Sequence, residues 1–376
     1  MLTDPSRLAE FPALGDKTYL NTAAESIPPL CVGEAIDAYW MDKQQGMRGR
    51  DAHFAAVEAC REISAEFLGL QPREVSFCSC TSEAYNLLGT ALDLGPEDQV
   101  VVSDLDFPAG VTPWLRAARP PQVRIWKSDD GELQRLNLVG LLNEKTKLVQ
   151  VSLVSFLNGH RLDWAPFHEA VRRLARNAII AVDVTQALGR IVIDCPGADV
   201  FISSTHKWTL GIHGGCIIGI PERNANRLTT HAGGWYHLEN AFDSDRFQHA
   251  KPMPGARSFS VGMPNFISLY ALNASLRYLQ SIGVPLIQSH ADPLVKTLHQ
   301  GLAEIGVRPM CPWHDERPTG IVSFQHEHAA AIHAALEEAN VHVMHQAGRI
   351  RLSVHGYNTE NDIQRALEVI NDALKL

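Results

Sequence analysis

No apolar run in this chain reaches the ~20 residues that a membrane-spanning helix needs. No block of lysines and arginines occurs either, and 33 basic residues against 42 acidic ones leave a formal net charge of −9. Neither a membrane protein nor a nucleic-acid binder fits that balance. The N-terminus, MLTDPSRLAEFPALGDK, lacks the basic-then-apolar order of a secretory signal. Cysteine is sparse: seven residues, scattered and odd in number, suit a reducing cytoplasm better than a disulfide framework. Cys78 and Cys80 form a C-x-C pair, but inside a strand-like run, where cysteine serves as a small hydrophobe. Repeats and low-complexity linkers are absent too. What remains is an ordinary globular composition, 376 residues and 45% hydrophobic, enough for a large core and two domains.

From about Glu58 to Ile220, short apolar runs alternate with helical periodicity. The runs are VSFCS (75–79), QVVVS (99–103), KLVQVSLV (147–154), AIIAVDV (178–184), ADVFISS (198–204) and GCIIGI (215–220). Nearly continuous apolar strands between helices predict an α/β fold with a mostly parallel sheet covered on both faces. Ligands of such sheets sit at the carboxyl ends of the strands. After Gly262 the texture changes: long helices over Asn265–Ile282 and Pro285–Ile305 precede a smaller α+β pattern ending in RIRLSVH and ENDIQRALEVINDAL. The expected division is a large domain over 16–265 and a small C-terminal domain over 266–376, with 1–15 packed on the small one.

The chemistry concentrates at three strand ends. AIIAVDV ends at Asp183, and Gln186 follows one turn later. ADVFISS ends at Ser204 and delivers Thr205, His206 and Lys207 to the same rim. VSFCS leads through Cys80 to Thr81 and Ser82, at the start of a helix whose free N–H groups suit an anion such as phosphate. A carboxylate, a lysine and an anion cradle are what pyridoxal phosphate requires. Its aldehyde condenses with an amine, its ring nitrogen needs a carboxylate and its phosphate needs donors. Phe107, just past QVVVS, is placed to cover a flat ring. The glycines of FISSTHKWTLGIHGG allow the backbone to pack closely behind Lys207.

The stretches YLNTAAES, TSEAYNLL, LDFPA, VDVTQALGRIVID, SSTHKW, GGCIIGI and RIRLSVHGYNTENDI resemble class-V aminotransferases. These are fold-type-I pyridoxal phosphate enzymes, grouped with cysteine desulfurases, kynureninases and isopenicillin N epimerase-like proteins. The resemblance implies the fold-type-I architecture and a cytoplasmic homodimer with its active sites at the interface. It also implies roles residue by residue. Lys207 binds the cofactor and moves the Cα proton. Asp183 pairs with the ring nitrogen, and Gln186 bonds the ring oxygen O3′. Thr81, Ser82, Ser204 and His206 hold the phosphate. Phe107 stacks on the ring; desulfurases usually carry histidine there, and kynureninase-like members carry phenylalanine. Arg351 grips the substrate α-carboxylate.

Three positions depart from the family pattern. Cys80 replaces a common glycine, Phe156 stands where desulfurases have asparagine (with Asn158 nearby), and Met263 replaces a threonine that reaches the partner's phosphate.

Blander readings stand beside these. Asp183 also suits a helix cap, His206 a core histidine, Thr81–Ser82 a capping box, Phe107 the core and Arg351 a surface ion pair. Histidines 326, 328, 333, 342 and 345 have H-x-H and H-x-x-H spacings without a carboxylate motif, so no metal site is expected. Cys311 near His314 offers a thiol–histidine pair. The lead reading is aminotransfer at Cα of a small α-amino acid. C–S or C–C β-elimination and epimerisation share its first step, and a non-catalytic cofactor-binding protein is the reading from another class. Efficient cysteine desulfuration is not expected, because 339–353, before the arginine strand, contains no cysteine.

Overall fold

The computed structural model describes residues 4–375. All six apolar runs are strands of one seven-stranded sheet: β1 (Val75–Cys78), β2 (Gln99–Ser103), β4 (Thr146–Ser152), β5 (Ile179–Asp183), β6 (Val200–Ser204) and β7 (Cys216–Gly219). The seventh, β3 (Gln122–Trp126), was not anticipated. It is an edge strand, largely exposed, and its polar residues hide it among loops. The order is β1-β7-β6-β5-β4-β2-β3. β7 runs antiparallel to both neighbours, and the other contacts are parallel. Two inversions across β7 return β1 to the direction of β6. The carboxyl ends of β1, β5 and β6 therefore open on one rim. Every residue of β2, β5 and β6 is buried, as strands covered on both faces must be.

Behind Lys207 the chain doubles back. The Thr205 hydroxyl donates to the carbonyls of Ile212 (2.7 Å) and Gly215 (3.0 Å). A Cβ at Gly211 would lie 2.6 Å from the Thr205 carbonyl oxygen, so only glycine fits this approach.

Helix Phe266–Ile282 buries Leu269, Leu272, Leu276 and Leu279 in the large core. Helix Val284–Glu304 turns Ala291, Leu294, Val295, Leu298 and Leu302 into a second core. The change of core falls at Gly283, whose φ of 90° breaks the helix. The second core also covers an antiparallel sheet in the order β9 (Met344–Gln346), β10 (Arg349–Ser353), β8 (Ile321–Gln325). We propose that the chain divides into its two domains in this 265–285 region. Of the N-terminal segment, residues 1–3 lie outside the described residues, as does Leu376 at the other end. Arg7 donates to the Tyr357 carbonyl (2.6 Å) and faces Asp362, whereas Phe11 and Leu14 join the large core. Among the described residues no helix is long and apolar enough to cross a membrane.

Candidate active site

A cavity of about 110 Å³ opens at the shared rim. Thr81, Phe107, Asp183, Gln186, Ser204, His206 and Lys207 all line it. They come from three separate stretches of the chain, around 81–107, 183–186 and 204–207, and the strand order brings them together. Ser152, Phe156 and Thr185 complete the lining.

Lys207 is buried in this cavity, with its Nζ 5.4 Å from the centroid of the Phe107 ring. Burial, and next the Arg351 cation, push its amine down from the ordinary lysine range to about 8. Asp183 and Glu25 pull the other way. His206 stacks on His213 (centroids 4.1 Å), and burial followed by Lys207 holds its imidazole down to about 4. It is therefore neutral at neutral pH, with one N–H to donate. Ser26 donates from its backbone N–H and its hydroxyl to the His206 carbonyl, both at 3.1 Å, which ties the YLNTAAES stretch to this turn.

Asp183 ends β5 with both oxygens occupied. Oδ1 accepts from the Thr185 N–H at 2.8 Å, and Oδ2 accepts from the Tyr85 hydroxyl at 3.0 Å. Gln150 donates through Nε2 to that same Tyr85 oxygen at 3.0 Å. Burial and the Asp183 charge push the Tyr85 hydroxyl well above the usual phenol range, so it stays protonated and donating. Thr185 in turn accepts from the Ser204 N–H (3.1 Å), locking the ends of β5 and β6 side by side. Asp106 plays the same part at β2 and β4: its carboxylate accepts from the Ser103 N–H (2.8 Å) and the Ser152 N–H (2.6 Å), which fixes the turn carrying Phe107.

Gln186 is already engaged, donating to the Ala23 carbonyl (3.1 Å) and accepting from the Trp208 indole (2.6 Å); one N–H remains. Phe107 is 44% exposed, which removes it from the core and leaves its face free. Ser82 is placed differently from Thr81. Its side chain is exposed and does not line the cavity, because one helical step past Thr81 turns it by about 100°. The capping bond at this helix is made by Glu83, which accepts from the Ser79 N–H (2.5 Å) and hydroxyl (2.6 Å). Thr81 thus stays uncommitted at a helix start whose N-cap, Cys80, makes no side-chain capping bond.

Arg351 is 3% exposed, so it is no surface ion pair. Its Nη1 donates to the Phe156 carbonyl at 2.8 Å, at the cavity wall. Asn158 turns away, donating to the Gly131 carbonyl (2.7 Å), and Met263 lines a separate cavity beside Gly262. Among the C-terminal histidines, His326 meets His328 (ring centroids 5.5 Å) and His333 meets His345 (5.3 Å), while Glu337 faces His333 and His342. Among the described residues Glu132, His160 and Cys311 come close enough to suggest a metal. That carboxylate is taken by His314 (2.7 Å), with Arg317 at 3.8 Å.

Tyr85, Gln150, Thr185 and Asp106 were not singled out from the sequence. Gln150 had one signal: a lone glutamine inside an apolar strand must find polar partners.

The donor set suits pyridoxal phosphate. The Ser204 hydroxyl is buried beside the cavity without a partner, and so is the Nε of Arg351. Buried polar atoms left open call for a polar ligand. A carboxylate, an amine and an exposed ring face meet in the same space. Together with the sheet order, this defines a fold-type-I pyridoxal-phosphate enzyme.

The class-V aminotransferase family model matches residues 18–366, and the chain belongs to that family. Its cofactor is pyridoxal 5′-phosphate. Among relatives, an uncharacterized aminotransferase of Bacillus subtilis (strain 168), YcbU, is 29% identical over 96% of this chain and 95% of its own length. A probable cysteine desulfurase of Methanothermobacter thermautotrophicus is 27% identical, covering 96% of each chain. Among solved structures, the apo cysteine desulfurase of Thermococcus onnurineus NA1 superposes with a TM-score of 0.88 at 24% identity, over 100% of this chain and 99% of that one.

Proposed function

We propose that the protein is a pyridoxal-phosphate-dependent aminotransferase acting at Cα of a small α-amino acid. The observation that carries the Cα chemistry, which elimination and epimerisation share, is the Lys207 amine, buried in the cavity with its pKa pushed down to about 8. An ordinary lysine, near 10.4, is almost wholly protonated at neutral pH and makes a poor base. Lys207 keeps a useful neutral fraction, so it can take the Cα proton and return it. The cofactor, when bound, supplies an electron-withdrawing ring. Asp183 would hold the proton on the ring nitrogen, steadied by Tyr85 and the Thr185 N–H. Ser204, His206 and the helix start at Thr81 would hold the phosphate, and Phe107 would cover the ring. Arg351 would orient the α-carboxylate through the free edge of its guanidinium. Aminotransfer asks for no further specialised group, and the Bacillus relative carries the name aminotransferase.

β-Elimination is the second reading, favoured by Phe107 where desulfurases usually carry histidine. Several relatives are named probable cysteine desulfurases. Against efficient desulfuration by this chain, we note that 339–353 contains no cysteine. That stretch also closes into a tight hairpin: Ala347 (φ 51°) and Gly348 (φ 74°) form a two-residue turn between β9 and β10. We also propose a cytoplasmic homodimer. Exposed apolar side chains at Trp40, Met41, Met47, Phe242 and Phe247 favour the pairing.

The test is a panel of amino acids, with and without keto acids, offered to the loaded enzyme. Keto-acid-dependent amino transfer supports the lead reading. Pyruvate and ammonia without a keto acid would replace it with the lyase. Fast alanine release with a protein persulfide would establish desulfuration instead.

A further inference from the structure

A buried guanidinium is costly unless an anion faces it. Four arginines are buried: Arg61, Arg190, Arg349 and Arg351. Two have their anion in the chain. Arg61 pairs with Glu58 at 3.1 Å, and Arg190 with Asp292 at 2.8 Å. Arg349 and Arg351 have no carboxylate partner among the described residues. Each uses one Nη1 to donate to a backbone carbonyl, Arg349 to Leu157 (2.9 Å) and Arg351 to Phe156 (2.8 Å). The Nε of each is buried and unpartnered. The Nη2 of Arg349 meets only the Met344 sulfur, at 3.9 Å. An arginine anchored through Nη1 keeps the Nε–Nη2 edge, which is the edge a carboxylate takes bidentately.

The two arginines stand two residues apart on β10. Alternation puts them on one face, with Cα atoms about 7 Å apart. That face backs onto the cavity wall at Phe156, to whose carbonyl Arg351 donates. Arg349 lies 5.6 Å from the centroid of the Phe156 ring, and Phe156 lines the cavity with Lys207. Burial holds the Arg349 pKa below its usual range, and its charge helps to lower that of Arg351. Setting a second cation beside the first raises the cost of both. A ligand that brings two anions offsets it.

We propose that Arg349 is a second anion-binding arm of this site and that the substrate is an acidic α-amino acid, with a carboxylate ending a short side chain. This rests on the reading that Arg351 grips the α-carboxylate, and it assigns the other end of the molecule. Two arms on one strand face, with Cα atoms about 7 Å apart, call for two carboxylates a few bonds apart, as in aspartate or glutamate, and a neutral side chain would leave Arg349 buried without a counter-charge.

The test uses the loaded enzyme and two independent readouts. In calorimetry, the better of succinate and glutarate should bind at least about 10-fold more tightly than butyrate, the value of one charge-assisted contact. Arg349→Gln should erase that margin while leaving butyrate binding as it was. In turnover, glutamate or aspartate should exceed glutamine and asparagine by a similar factor in kcat/KM. The turnover comparison needs no variant, so it stands even if Arg349→Gln folds poorly. Dicarboxylates binding no better than butyrate, or a margin that survives Arg349→Gln, would overturn the proposal. So would amides turned over as well as acids. Arg351→Gln separates the underlying reading. It should weaken butyrate and dicarboxylates alike, and if it weakens neither, Arg351 has been misassigned whatever Arg349 does. The product formed reports aminotransfer or elimination independently of this selectivity.

Discussion

Replacing Tyr85 by phenylalanine removes one oxygen from the centre of a buried chain, Gln150 to Tyr85 to Asp183, with both links at 3.0 Å. The first loss is a hydrogen bond to a carboxylate, worth about 1.5–3 kcal/mol. The second is the Gln150 amide. Its Oε1 is already without a partner, and the variant leaves its Nε2 without one as well. An orphaned buried donor adds about 1 kcal/mol or more. The expected cost of Tyr85→Phe is therefore about 2–4 kcal/mol, large for the deletion of one atom. Gln150→Leu alone should cost less, since Tyr85 keeps its bond to Asp183. In the double variant the orphaned amide no longer exists. Its cost should fall short of the sum of the single ones by about 1 kcal/mol. Urea unfolding of the apoprotein, followed by tryptophan fluorescence, measures all four corners of the cycle. A Tyr85→Phe cost below about 0.5 kcal/mol, or strict additivity, would refute the coupled network.

Three further outcomes follow from the site. Burial and Arg351 both disfavour the charged Lys207 amine, so capture of added pyridoxal phosphate by apoprotein should rise with pH through a midpoint of about 8; borohydride fixation and peptide mapping should place the label on Lys207, and a midpoint near that of an exposed lysine would contradict its burial. Asp183→Asn should keep the cofactor but slow deuterium exchange at the substrate Cα by at least about 100-fold, and unchanged exchange would remove Asp183 from its role. Arg351→Lys keeps the charge but loses the planar fork, so kcat/KM should fall by about 2–4 kcal/mol equivalent while the cofactor spectrum is unchanged.

The sheet was legible because burial on both faces leaves a plain signature. A strand such as Ile179–Asp183, buried at every position, has no polar alternation to confuse with a helix face. The edge strand Gln122–Trp126 has no such signature, since solvent and core both shape it. The same contrast holds at the site. Asp183 and Lys207 stand out because charged residues at the ends of apolar strands have few structural uses. Tyr85 does not, because an aromatic residue on the inner face of an amphipathic helix reads as core. Only the fold shows that its hydroxyl ends at a carboxylate 98 residues away in the chain. At Thr81 and Ser82 a hydroxyl at a helix start is readable, but which of two neighbours lines the cavity depends on a rotation that sequence does not specify.

The two arginines of RIRLS show how far periodicity reaches. Alternation alone puts Arg349 and Arg351 on one face of a strand. It leaves open whether that face meets water, where two cations are cheap, or the interior, where they are not. Burial decides this: both residues lie inside, at 4% and 3% exposure, Arg349 against the Phe156 ring and Arg351 at the Phe156 carbonyl. The family resemblance assigns a carboxylate clamp to Arg351 alone and gives Arg349 no part. In the folded chain the two do not compete, because each has its own carbonyl anchor and its own open edge. Among the described residues, acidic partners face the other buried arginines, Arg61 and Arg190, and none faces these two. That asymmetry is chemical information about the ligand, carried by what the protein leaves unpaired.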